Sequence, residues 1–155
     1  MHQIVYYNKN DRYVANVSQS VTIHALQKIV WAEISNIIGL TNWLVNAQKT
    51  EFLSKIRHGV GAIRKIFFLD GSKVVEYVVG WNPERHLSYV ATSGLPLDVY
   101  HATLSISPKG KSTQLTWTTF LNSNSSDKKQ FEEFLLFIDD FYEKSLKNLK
   151  ARIEK

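Results

Sequence analysis

The chain has 155 residues, a net charge of +5, 44% hydrophobic and 21% charged residues, and no cysteine. That size and balance fit one globular domain with a sizeable core and exclude intrinsic disorder. Without cysteine there are no disulfides, thiolate metal sites or cysteine nucleophiles, and no apolar run approaches the ~20 residues that span a bilayer.

The first residues, "MHQIVYYNKND", lack the basic-then-apolar layout of a signal peptide, so the expected compartment is the cytoplasm. Residues 1–12 read as an extra N-terminal arm or strand. "RYVANVSQSVTI", residues 12–23, alternates and is rich in β-branched residues, which predicts a strand. "HALQKIVWAEISNI" follows, with Leu26, Ile29, Val30, Ile34 and Ile37 at helical spacing until Gly39 breaks the pattern. A short second helix then runs through Trp43. From about residue 45 to 122 the period is two, cut by turn signals at "DG", "NPER", "SGLP" and "SPKGKS" into roughly six strands. Connections that short predict antiparallel pairing. After the polar loop "NSNSSD", Asp127 can cap a helix with Gln130 in the reciprocal position. Phe131, Phe134, Leu135, Ile138, Phe141, Tyr142, Leu149 and Ile153 mark one long amphipathic helix, acidic early and basic late, as the helix dipole prefers.

The last 29 residues hold seven basic and seven acidic side chains, so the positive excess is spread over residues 1–126. A nucleic-acid protein concentrates its Lys and Arg on one face or helix, and none is expected to be a partner here. The predicted class is α+β: a curved antiparallel sheet of about seven strands around a long C-terminal helix, with two short helices after the first strand. A single helix and sheet bury their apolar faces against each other. With the two small helices plugging one end, a cavity can remain between sheet and long helix.

Several strands declare their inner faces. Tyr100, Ala102, Leu104 and Ile106 alternate with polar residues, as do Leu115 and Trp117, and Leu87, Tyr89 and Ala91 share one side. Residues 62–79 do not, because both faces are apolar and two charges, Arg64 and Glu76, sit mid-strand. A two-residue Asp70-Gly71 turn would put Lys65 opposite Glu76. A three-residue Leu69-Asp70-Gly71 loop, with Gly71 left-handed at a bulge, would put Arg64 opposite Glu76. Both turns accept Asp-Gly, and the three-residue loop is the preferred reading. It places Ala62, Arg64, Ile66 and Phe68 on one face with Val74, Glu76 and Val78. Ile63, Phe67, Leu69, Val75, Tyr77 and Val79 then form an apolar outer face.

"VTIHALQKIVWAEISNIIGLTNW", "GVGAIRKIFFLDG", "VVEYVVGW", "LSYVAT" and "YHATLSISPKGKSTQLTW", in that order and spacing, resemble the polyketide cyclase/dehydrase branch of the START-like, Bet v 1-like (SRPBCC) superfamily. The likeness covers residues from about 13 to 150. It implies the helix-grip fold and an interior cavity for hydrophobic or amphipathic small molecules, with an arginine and a glutamate at the positions of Arg64 and Glu76 facing it.

The leading expectation is therefore a non-catalytic binding or transport protein for a hydrophobic small molecule. Its ligand-binding candidates are Trp43, Arg64, Glu76, Tyr89, Tyr100, Trp117, Phe134 and Ile138. The plain alternative is that the pair only fixes the sheet register and the aromatics only pack the core. A second reading is a cyclase or dehydratase with Glu76 as general base, the sole catalytic candidate. A third is an interaction module, with a homodimer formed on the apolar outer face. The five histidines, His2, His24, His58, His86 and His101, show no metal spacing. No nucleophile elbow or phosphate loop occurs either, and no metal or cofactor is expected.

Overall fold

The computed structural model describes residues 2–9 and 12–155. Its strands are β1 (His2–Lys9), β2 (Arg12–Ile23), β3 (Ala47–Phe52), β4 (Ile63–Phe68), β5 (Lys73–Asn82), β6 (His86–Ser93), β7 (Val99–Lys109) and β8 (Ser112–Ser123). Its helices are α1 (Gln27–Ile34) and α2 (Lys128–Ile153), with a 3-10 turn at Gly39–Asn42. The eight strands form one curved antiparallel sheet in the order β1-β2-β8-β7-β6-β5-β4-β3. The count exceeds the expected seven because residues 2–9 form a full edge strand, paired with β2 from His2↔Gln19 to Lys9↔Arg12. Met1, Asn10 and Asp11, the rest of the expected arm, lie outside the described residues.

The inner faces fall where alternation puts them. Tyr100, Ala102, Leu104, Ile106, Leu115 and Trp117 are buried, as are Leu87 and Tyr89. The stripe of α2 closes over them through Phe131, Leu135, Ile138, Tyr142, Leu146 and Leu149. The Asp127 side chain accepts from Gln130 N and the Gln130 side chain accepts from Asp127 N, a reciprocal cap that satisfies two otherwise orphaned donors.

Helix α1 is shorter than its periodicity suggests. It starts only at Gln27, because Leu26 at the N-cap is extended and offers no side-chain acceptor, and it stops at Ile34. Ile37 leaves the helix to pack with Ala62 and Val78 in a separate small cluster.

Between β4 and β5 the three-residue loop forms. Phe68 N donates to Ser72 O at 2.9 Å and Gly71 N to Phe68 O at 3.0 Å, with Gly71 at φ 88°. Asp70 Oδ1 accepts from Ser72 N and Ser72 Oγ, which locks the turn and holds the exposed Asp70 carboxyl below its ordinary range. One residue departs from the alternation: Leu69 belongs to the loop and not to the outer face, and it lies beside the interior opening described below.

Candidate functional site

The hairpin loop sets the register of β4 on β5, and that register places Arg64 directly across from Glu76. Both point inward, with Arg64 3% and Glu76 6% exposed. Arg64 Nε donates to Glu76 Oε1 at 2.8 Å, Nη2 lies 2.8 Å from the same oxygen, and Nη1 donates to Ile37 O at 3.0 Å. The departure of Ile37 from α1 thus has a polar consequence: its carbonyl becomes the third anchor of the guanidinium. The guanidinium also lies over the Tyr89 ring, 4.9 Å from its centroid. Burial pushes the Glu76 carboxyl up from its ordinary value, and the Arg64 charge and hydrogen bond pull it down without cancelling that push.

Arg64 and Glu76 form one wall of a cavity of about 520 Å³ between the sheet and α2. Small-molecule sites commonly have that volume. Trp43, Leu40 and Leu44 from the 3-10 turn and its exit close one end, and Phe134, Ile138 and Phe141 of α2 cover the top. Strands β4 to β8 supply Ile66, Phe68, Val74, Tyr89, Tyr100, Leu104 and Trp117. All eight candidates named from the sequence therefore line this one space.

The plug is tied to the helix. Val45 N donates to Ser145 Oγ at 3.1 Å, and Asn148 Nδ2 donates to Trp43 O at 3.2 Å. The indole N–H of Trp43 is itself buried without a partner among the described residues. Leaving such a donor unmet costs about 1–3 kcal/mol.

A neutral polar network runs along the floor. Trp117 Nε1 donates to Tyr89 Oη at 3.0 Å, and the hydroxyls of Tyr100 and Tyr142 share a hydrogen bond. Trp117 stacks on Tyr142 at 3.8 Å and 10°, and meets Trp43 edge-on at 5.7 Å. Burial holds the phenols of Tyr89, Tyr100 and Tyr142 protonated well beyond their ordinary range.

The cavity opens between the turn at 69–72, the loop at 94–96 and α2, where its lining is exposed. Leu69 is 66% and Phe137 57% exposed, although both belong to the lining. Sequence reasoning missed these mouth residues. A signal was present in Phe137, three positions after Phe134 on the same helix and stacked on Phe141. Gly94 has φ +97°, and a Cβ there would lie 1.9 Å from Lys73 O, so only glycine lets this loop sit against the start of β5.

Among the described residues no cluster of three or more metal-ligating side chains occurs, and no helix is long and apolar enough to cross a membrane. Tyr77 and Val79 are exposed on the outer face of β5.

Comparison with known proteins adds the family. The model described as "Polyketide cyclase / dehydrase and lipid transport" matches residues 14–154. No curated protein matches. Among solved structures, an uncharacterised protein from Bacillus thuringiensis is similar at TM-score 0.75 and 18% identity, over 90% of this chain and 99% of that one. The protein XoxI from Bacillus cereus is similar at 0.76 and 20%, over 89% and 94%. A Thermobifida fusca protein solved by NMR is similar at 0.76 and 20%, over 89% and 92%. At these identities the likeness carries the fold alone.

Proposed function

The chain belongs to the polyketide cyclase/dehydrase and lipid transport family, and from that premise we propose that it binds, and carries, a hydrophobic or amphipathic small molecule in the cavity between sheet and α2. The observation behind this reading is an aromatic-walled space of about 520 Å³ that contains one buried ion pair. Its apolar walls remove ligand surface from water at roughly 25 cal/mol per Å², while the pair and the tyrosine hydroxyls fix orientation. Titration with a neutral, environment-sensitive apolar dye tests it. The wild-type protein should bind the dye saturably, and a folded Ile138→Trp variant, whose larger side chain fills the space, should not. Equal dye affinity in both would remove the cavity from the account.

One observation favours an enzymatic alternative. Glu76 is a carboxyl on the cavity wall with its pKa raised by burial, the direction expected of a carboxyl that transfers protons. Its Arg64 partner opposes that role, and binding without chemistry accounts for the pair more economically. Under the enzymatic reading Glu76→Gln abolishes turnover of a bound substrate while sparing its affinity.

A further inference from the structure

The charges of the cavity can be summed from its lining. Three lining side chains among the described residues carry formal charge: Arg64, Glu76 and Asp70. Arg64 and Glu76 are 2.8 Å apart, and Ile37 O takes a further guanidinium donor, so the interior charge is compensated before any ligand arrives. Asp70 stands at the exposed mouth, and its bonds to Ser72 keep it ionised. The remaining polar side chains of the wall are uncharged hydroxyl, indole and amide groups: Ser72, Tyr89, Tyr100, Trp43, Trp117 and Asn46. A hydroxyl both donates and accepts, and so pairs with a carbonyl or an alcohol. An ionised headgroup finds no unpaired countercharge inside, and burying it uncompensated is strongly unfavourable. A carboxylate also passes Asp70 on entry.

We propose that the cavity selects ligands whose buried polar end is uncharged, a carbonyl or hydroxyl on an apolar body, over otherwise identical carboxylates and ammoniums. This rests on the ligand-binding reading above and narrows it. The pair then serves as a neutral, rigid hydrogen-bonding surface. It does not act as an anion trap, although an arginine in a pocket invites that interpretation.

The test is a titration of the intact protein, by quenching of its tryptophan emission, with a straight-chain alcohol, carboxylate and ammonium of equal length at neutral pH. The alcohol should bind at least about tenfold tighter than either ion, a difference of about 1.4 kcal/mol or more. If the carboxylate binds as tightly as the alcohol, the selectivity is wrong while the binding reading stands. If none of the three binds, the binding reading falls and the selectivity with it. Glu76→Gln supplies an independent arm, because it leaves the Arg64 charge uncompensated. In a folded variant the carboxylate should gain on the alcohol at least about tenfold. An unchanged ratio would mean that the charge pair does not set the preference. Should that variant fail to fold, the wild-type ratio alone decides.

Discussion

Arg64 is a buried guanidinium, and a buried charge is tolerated only when it is paired and hydrogen-bonded. Its burial is tolerable only through Glu76 and Ile37 O. Arg64→Met should cost ~3–5 kcal/mol at neutral pH, since it strands the Glu76 charge. Glu76 can then escape by taking up a proton. Burial raises its carboxyl above 4.5 and Arg64 holds it down, so deleting Arg64 raises it further. A folded-state value above the unfolded one gives stability that is complete below the unfolded value and is lost as pH rises through the folded one. Arg64→Met should therefore recover stability on acidification from neutral pH, and more steeply than wild type. Denaturant titrations at several pH values measure both slopes, and equal slopes would contradict the pairing. The contact itself was legible in the sequence, because Asp70-Gly71 permits only a few turns and one of them aligns the charges. The third anchor was not. Ile37 lies on the helical period, and only the uncapped, shortened α1 frees its carbonyl.

Helix α2 is the element that closes the cavity, and its first turn depends on the Asp127–Gln130 reciprocal cap. Asp127→Ala should cost about 1 kcal/mol, or roughly 2–4 °C in Tm for a chain of this size. Calorimetry checks this, and an unchanged Tm would mean that the helix start is held by packing alone. On the opposite rim, Gly94→Ala faces a carbonyl 1.9 Å from the new Cβ and an unfavourable φ. It should destabilise by more than about 1 kcal/mol in denaturant unfolding, where a neutral result would show that the loop relocates freely. The cap and the long stripe of α2 were readable because a capping signature and a 3.6-residue period are local properties. The role of Gly94 was not, since it depends on where the β6–β7 loop meets the start of β5.

The antiparallel strands from residue 45 onward and the long closing helix follow from turn signals and alternation, and the family resemblance implied the helix-grip arrangement. The pairing of β2 with β8, about a hundred residues apart in the chain, has no local signal. The cavity was legible only as a set of residue types. Trp43, Tyr89, Trp117 and Ile138 serve equally well in a packed core or a pocket wall, and period and polarity do not distinguish the two. The charge pair was the stronger pointer, because an apolar core has little reason to retain it. We propose that residues 1–155 act as one domain, which predicts a single unfolding transition with matching calorimetric and van't Hoff enthalpies. Two resolved transitions would divide it.

The central claim, that the space between sheet and α2 holds a small apolar molecule, is tested most directly by native mass spectrometry of the protein after incubation with a total lipid extract. The account predicts a discrete adduct, one small molecule per chain, released on denaturation and absent from the cavity-filled Ile138→Trp variant. A spectrum showing only the bare chain would contradict it.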